Sequence, residues 1–303
     1  MVYNLFGRTI QCDFDASDFA YVSKSNPEIF VYANEMPVIS KIKWFHTLKD
    51  EHSEWDRFGQ WELGYVARKE KVADLIIIPE RGEIYLKTMI PLSDREKHSL
   101  LIMSGLPILL QSMGEVVLHA CSAFINGKTK VIVGDPGIGK STLTAQLAKR
   151  GHEVITEDAL VLNGEDPAQW IPTQGPKLLK LAKQNPLAPA LPIMDEVFGE
   201  NLYELVSAPL LCISPISEII FLVSSDDTFK VKPLIGVDSL RLLAKQLFRL
   251  KLDNEQFIRN EIDILYDLVT ASRCVQVDYS HDMKSLSQLV EFLESGSYQD
   301  LNL

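Results

Sequence analysis

Cysteine is scarce in this chain, and its four residues (Cys12, Cys121, Cys212 and Cys274) lie more than fifty positions apart. Without a CxxC pair they fit neither a zinc ligand set nor a disulfide framework, so reduced, buried thiols are expected. Basic charge is also in short supply. Thirty Lys and Arg against 41 Asp and Glu leave a formal net charge of −11 over 303 residues, which repels a phosphate backbone and argues against nucleic acid as a partner. No apolar run reaches membrane-spanning length, because the stretch at 99–113 is broken by Ser104, Gly105, Pro107 and Gln111. The opening MVYNLFGRTIQCDFD has no basic region followed by a long apolar one, so a soluble, cytoplasmic protein without a membrane partner is expected. Internal repeats and low-complexity blocks are missing too.

What remains is an ordinary globular composition, 46% hydrophobic and 23% charged, enough for one large or two smaller domains. The first ninety residues alternate short β-type stretches with turn residues: YNLFGRTIQC, IFVYANEM, WELGYVARK, ADLIIIP and EIYLKTMI. A hairpin is expected at Pro79-Glu80-Arg81-Gly82. Trp44, Trp55 and Trp61 with Phe45 and Phe58 read as the packed face of a sheet, and the spacing of His46 and His52 suits no zinc site. At Ser93 a capping box, Ser93-Asp94-Arg95-Glu96, opens a long helix expected to run to about residue 112 with a bend near Pro107.

From Gly114 the pattern changes to β (VVLHACSAFI), a turn at Asn126-Gly127-Lys128, and β again (KVIVG). After residue 152 come EVITED, ALVL, a Pro-rich connector over 167–192, a buried-type strand SEIIFLVS, helical patterns at 238–250 and 254–271, a strand RCVQVDY and a helix to about Glu294. The boundary falls near residue 113. It separates a β-rich region with a connecting helix, 1–113, from an α/β nucleotide-binding domain, 114–303.

The chemistry is concentrated at Gly134-Asp135-Pro136-Gly137-Ile138-Gly139-Lys140-Ser141, which matches GxxxxGK[ST] in full between an apolar strand and a helical pattern that begins at Thr142. Glycines let successive N–H groups turn toward phosphate oxygens, and the helix that follows presents its N-terminus to negative charge. Lys140 is placed to reach the β- and γ-phosphates, and the Ser141 hydroxyl to complete a Mg²⁺ shell. ATP and Mg²⁺ are the expected cofactors. With fifteen residues between them and Ser141, Glu157-Asp158 end an apolar strand, a position suited to holding Mg²⁺ and to deprotonating an attacking hydroxyl.

Leu118-His119-Ala120, the loop GDPGIGKS, a helix ending Lys149-Arg150-Gly151-His152 and a strand ending in Glu157-Asp158 together resemble the HPr serine kinase family and its diverged kinase relatives. The likeness is strong over about 116–162 and holds elsewhere only in outline. It implies a P-loop kinase domain similar to phosphoenolpyruvate carboxykinase, preceded by a smaller β-rich region. It also implies Mg²⁺ binding and general-base duty shared by Glu157 and Asp158, His119 tuning one of them, and a possible homo-oligomer. Asp158 is the favoured base. An EVRGxGxxN-type signature, carried after the acid pair by the bifunctional kinase/phosphorylases, is not found. Instead Ile171-Pro172-Thr173-Gln174-Gly175-Pro176-Lys177-Leu178-Leu179-Lys180-Leu181 is similar to a segment of the HPr-kinase-like proteins of lasso-peptide biosynthesis. Tyr3, Phe6 and Gly7 belong to an opening phrase like theirs. The resemblance implies a kinase that phosphorylates a serine on a peptide, such as a lasso precursor, or on a small protein. HPr as acceptor, a small-molecule acceptor, and an ATP-binding regulatory module remain alternatives, and Lys177 and Lys180 read either as phosphate or peptide contacts or as solvated lysines.

Overall fold

The computed structural model describes residues 1–49, 54–164, 169–185, 192–205, 214–225, 229–248, 255–280 and 282–295, with the backbone alone for 46–49 and 54–56. The chain divides into two compact units, residues 1–117 with 248–257, and residues 118–247 with 258–303. The return of 248–257 to the first unit is a feature that chain order alone does not reveal.

In the first unit nine strands form one sheet. They are β1 (Val2–Leu5), β2 (Arg8–Cys12), β3 (Tyr21–Val22), β4 (Ile29–Tyr32), β5 (Lys43–Lys49), β6 (Glu54–Trp61), β7 (Gly64–Lys69), β8 (Ala73–Ile78) and β9 (Glu83–Thr88), in the spatial order β3-β1-β2-β4-β9-β8-β7-β6-β5. The Pro79–Arg81 link is a short 3₁₀ turn closed by Gly82 in the left-handed region, joining β8 to β9 as a hairpin. The β-type stretch WELGYVARK is mostly strand with a turn inside it: β6 ends at Trp61, the chain turns at residues 62–63, and β7 runs from Gly64, where a Cβ would stand 2.0 Å from the Ile77 carbonyl oxygen. Trp61, Val66, Ile76 and Ile78 pack together with Trp44 and Tyr85. The expectations for His46 and Trp55 fall on side chains outside the described residues, as do His52 and Cys212 entirely. The three described cysteines, Cys12, Cys121 and Cys274, are free and buried.

Ser93 caps α1 (Asp94–Leu100) in a complete capping box with Glu96. The helix continues as a wide π-type turn, Leu101–Gly105, into α2 (Leu106–Ser112). Its cause is Pro107, which has no N–H to donate. The Leu106 N–H reaches back five residues to Leu101 instead, so the irregularity precedes the proline rather than sitting at it.

The second unit is built on a six-stranded sheet. After the short β10 (Val117–Leu118) come β11 (Ala120–Ile125), β12 (Lys128–Gly134), α3 (Lys140–Lys149), β13 (Glu153–Thr156), β14 (Leu160–Asn163) and β15 (Ile171–Pro172). They are followed by β16 (Leu178–Ala182), β17 (Ile193–Val197), β18 (Glu200–Glu204), β19 (Ile216–Ser224), β20 (Lys230–Pro233), α4 (Val237–Ala244), α5 (Glu255–Ala271), β21 (Arg273–Tyr279) and α6 (Met283–Ser295). The order β13-β11-β12-β19-β21-β20, with β12, β19 and β21 mutually parallel and β13 and β12 both antiparallel to β11, puts the carboxyl ends of β13, β12, β19 and β21 on one edge. Alternate residues of β12, β19 and β21 (Ile132, Ile220, Leu222, Val275, Val277) join Leu143 and Leu147 of α3 and Leu289 and Leu293 of α6 in one core. The Pro-rich connector expected over 167–192 holds β15 and β16, and β16 pairs with β18 in a three-stranded antiparallel sheet with β17. Residues 165–168 and 186–191 lie outside the described residues. Helix α4 is shorter than the expected 238–250, because Leu247 leaves it to bridge Leu118. Among the described residues no helix is long and apolar enough to cross a membrane.

His98 of α1 is fully buried, its ring centroid 4.1 Å from that of Phe19 and its Nδ1 without a hydrogen-bond partner. Burial holds its pKa down at about 3, so between about 6.5 and 3 the unfolded chain takes up a proton that the folded chain refuses. The native state should therefore lose stability as pH falls through that window, by up to about 1.4 kcal/mol per pH unit from this group. Denaturant unfolding of the parent and His98→Leu from pH 7 to 4 checks this: the acid sensitivity should be shallower in the variant, and parallel curves would contradict it.

Candidate active site

Gly134 ends β12 where a Cβ would meet the Leu222 carbonyl oxygen at 2.9 Å, so the loop leaves the sheet at a place open only to glycine. Gly137 and Gly139 follow at φ +81° and +98°. Gly139 precedes α3 without a side-chain cap, which leaves the first-turn N–H groups for a ligand. The loop is held from outside as well. The Tyr279 hydroxyl, at the end of β21, donates to the Ile138 carbonyl, and a Cβ on Gly139 would lie 2.6 Å from that hydroxyl. Lys140 is buried, its Nζ 2.7 Å from the Gly134 carbonyl oxygen, and burial pulls its pKa below the ordinary lysine range.

The structure brings Lys140, Ser141, Glu157, Asp158 and His119 into one neighbourhood. Glu157 and Asp158 stand just past β13 and turn to different partners. The Ser141 hydroxyl donates to Glu157 at 2.5 Å. Asp158 takes left-handed backbone, φ +68°, a conformation Asp tolerates better than most residues, and meets His119 Nδ1 at 3.1 Å through its carboxylate and at 3.1 Å through its carbonyl. With both of those atoms acceptors, Nδ1 is the protonated ring nitrogen.

Burial divides the pair further. Glu157 is 5% exposed; burial first, and the neighbouring Asp158 charge second, push its pKa well above the usual carboxylate range. The Asp158 side chain is 32% exposed. Burial alone would raise its pKa, but the His119 hydrogen bond and then the charges of His119, Lys180 and Lys140 hold it below the usual value. Lys180 on β16 thus sits within electrostatic reach of both acids, and it also lies 3.6 Å from Glu200.

His119 owes its place to a break in the strand expected over VVLHACSAFI. Its N–H leaves the sheet for the Gln246 carbonyl, 2.7 Å away, separating β10 from β11 and freeing the ring to turn toward Asp158. The bend that carries the acids is closed by the Thr156 hydroxyl donating to the Ala159 carbonyl at 2.6 Å and by the Gly175 N–H bonding the Ile155 carbonyl. Sequence reasoning missed Thr156, Gly175 and Tyr279. Only Gly175, inside a Pro-Thr-Gln-Gly-Pro turn phrase, carried a visible signal.

Two adjacent carboxylates and a hydroxyl make a hard oxygen donor set. It suits Mg²⁺, which is commonly held by one or two carboxylates with substrate phosphates rather than by a full protein cage. A buried acid whose pKa burial has raised is also a group that a cation would stabilise. Among the described residues no cluster of three or more His, Cys, Asp or Glu could enclose a metal by itself.

No family model matches the chain. Two HPr kinase/phosphorylases of Clostridium botulinum, strains Eklund 17B and Alaska E43, are each 40% identical over 52 residues, 17% of this chain and 17% of each relative. That of Lactobacillus johnsonii is 26% identical over 144 residues, 40% of this chain and 45% of the relative. The chain is similar to HPr kinase/phosphorylases. The matches span less than half the length of these curated relatives. Among solved structures, the Hpr(Ser) kinase/phosphatase from Coxiella burnetii is 19% identical, with a TM-score of 0.32, covering 59% of this chain and 88% of that one.

A Cβ on Gly175 would stand 2.1 Å from Thr156 Oγ1 and 2.9 Å from Thr156 Cα. Gly175→Ala should therefore displace the bend that carries both acids and cost about 1–3 kcal/mol of stability, the usual range for overpacking. Chemical denaturation of the two proteins checks it, and an unchanged midpoint and slope would contradict it.

Proposed function

We propose that the chain is an ATP- and Mg²⁺-dependent kinase that transfers the γ-phosphoryl group to a serine hydroxyl on a peptide or small protein. One observation carries the reading. Beside a complete phosphate loop, two neighbouring carboxylates have been given different partners and different access to solvent, Glu157 facing Ser141 and Asp158 facing His119.

The loop N–H groups and Lys140 bind the phosphates of ATP, and Lys140 offsets charge on the transferring group. Ser141 and Glu157, with Asp158 at the margin, are the residues that would hold Mg²⁺. Bound there, the ion would neutralise phosphate charge and orient the donor. Asp158 accepts the hydrogen of the serine hydroxyl as its oxygen attacks the γ-phosphorus and the bond to the ADP oxygen breaks. His119 fixes the Asp158 carboxylate from behind through Nδ1–H. Access decides between the two acids: Glu157 is the stronger base but is closed to an incoming hydroxyl, whereas Asp158 is open. Low basicity is no bar in a loose phosphoryl-transfer transition state, which asks for positioning more than for early proton removal.

A serine on a flexible peptide, such as a lasso precursor, is the preferred acceptor. The support is the likeness of residues 171–181 to the lasso-type kinases and the lack of an EVRGxGxxN-type signature, which also favours a kinase without phosphorylase activity. HPr is the alternative acceptor, in keeping with the HPr kinase/phosphorylases to which the chain is similar.

The test is transfer of label from γ-labelled ATP to a serine-bearing precursor peptide and to HPr, with the site read by mass spectrometry. Asp158→Asn should lower kcat by about 10²–10⁴-fold, the usual contribution of a positioned acid–base group. Lys140→Ala should abolish transfer while leaving the fold intact. Near-parental kcat in either variant would contradict the assignment, and label on HPr alone would replace the peptide as acceptor.

A further inference from the structure

The second unit holds a further cavity at the edge of its sheet opposite the phosphate loop. Its volume is about 510 Å³, within the roughly 300–1,000 Å³ of small-molecule sites. The walls are the turn from β20 into α4 (233–237) with Leu240, the last turns of α5 at Tyr266, Val269 and Thr270, and residues 272–274 where β21 starts. Because β20 runs antiparallel to β21, that turn leaves the sheet where β12, β19 and β21 begin, whereas the phosphate loop and the acids follow strands that end at the other edge. The proposed kinase chemistry uses none of these residues.

The polar side chains of the wall are committed to the protein itself. The Thr270 hydroxyl donates to the Tyr266 carbonyl at 2.8 Å, and the Ser272 hydroxyl to the Ile216 carbonyl at 3.0 Å. Cys274 is buried, and burial pushes its thiol up to about 11, so it stays neutral. What the cavity presents is aliphatic: half-buried Leu234, Leu240 and Val269, with Ile235 and Val237 at the rim 80% and 78% exposed. A sugar or a nucleoside would leave its hydroxyls and ring nitrogens without partners there, so the body of a fitting ligand is hydrocarbon.

Charge sets the other half of the ligand. Lys130, Glu218 and Arg273 stand side by side on β12, β19 and β21. Glu218 meets Lys130 at 2.8 Å, Lys128 at 3.5 Å and Arg273 at 3.6 Å. Three cations thus surround one carboxylate, in a chain whose net charge is −11. Buried Lys130 is the nearest partner of Glu218, while the Arg273 side chain, 40% exposed, belongs both to this cluster and to the cavity wall. A guanidinium in that position offers a carboxylate two parallel N–H donors, with the positive field of the cluster behind it.

We propose that this cavity binds a small amphipathic acid, its hydrocarbon body between α5 and the turn that follows β20, and its carboxylate on Arg273. The site also has a path to the catalytic residues. Helix α4 begins at the cavity and ends two residues before Gln246, whose carbonyl accepts the His119 N–H. Occupancy therefore bears on the residue that fixes Asp158, a consequence that rests on the reading given under Proposed function, whereas the binding site itself does not.

Calorimetric titration of the full chain with decanoate, decanol and acetate separates the two contributions, since decanol keeps the hydrocarbon without the charge and acetate the charge without the hydrocarbon. Decanoate should bind about tenfold or more tightly than either control. Arg273→Gln should weaken decanoate by about tenfold and leave decanol within about twofold. Thr270→Trp, at an exposed helix position, should fill the cavity and weaken both. Circular dichroism and melting confirm that both variants are folded. Saturating decanoate should change the kcat of the parent by about twofold or more and that of Thr270→Trp not at all. Equal affinity for decanoate and decanol, decanoate binding that survives either substitution, or no decanoate binding would overturn the site. Decanoate binding with unchanged kcat would overturn the link to His119. A chain that binds decanoate as expected yet transfers no phosphoryl group would overturn the kinase reading and leave the site standing.

Discussion

Everything at the candidate site depends on how one buried carboxylate is kept. Glu157 is closed off from water beside a second acid, an arrangement that by itself favours its neutral form. The contacts around it answer that cost: the Ser141 hydroxyl donates to it, and the charge of Lys180 reaches both acids. A divalent cation would complete the neutralisation. Because Glu157 is committed inward, the backbone can turn over at Asp158 and present that acid to His119 and to solvent. Two residues adjacent in sequence thereby acquire different chemistry.

The supporting structure reads as a set of devices for holding that arrangement. Strand β11, inserted between β12 and β13, separates the loop from the acids by the width of a strand and starts at the point where His119 stands. Gly175 and Thr156 close the bend beneath the acids, and Tyr279 braces the loop from the other side. None of these residues needs to touch a substrate to matter. Each fixes a backbone segment from which a functional group projects, as precise sites generally require.

Much of this was legible in the sequence where a local rule sufficed. The phosphate loop announces itself through glycines and Lys-Ser at fixed spacing, the Ser93 capping box through its two partners, and β19, β21 and α6 through unbroken periodicity. Nonlocal competition concealed the rest. The break at His119 exists because Gln246, far along the chain, offers a carbonyl that the strand ladder does not. The start of β7 at Gly64 is set by a close approach to Ile77 of β8, which leaves no room for a Cβ. In the connector over 167–192 the prolines mask β16, whose partner among the described residues, β18, lies about twenty residues further on. The different directions of Glu157 and Asp158 come from the left-handed backbone at Asp158. That conformation has no sequence signal beyond the residue's tolerance for it.

The central claim is the division of labour between the two acids, and cation binding tests it apart from turnover. Mn²⁺, which reports its own binding through water-proton relaxation, can be titrated into the protein with ATP present. Glu157→Gln should weaken Mn²⁺ by about tenfold or more, since it removes a charged oxygen ligand, while Asp158→Asn should stay within about threefold of the parent. The reverse order, with Asp158→Asn losing the ion and Glu157→Gln keeping it, would contradict the account.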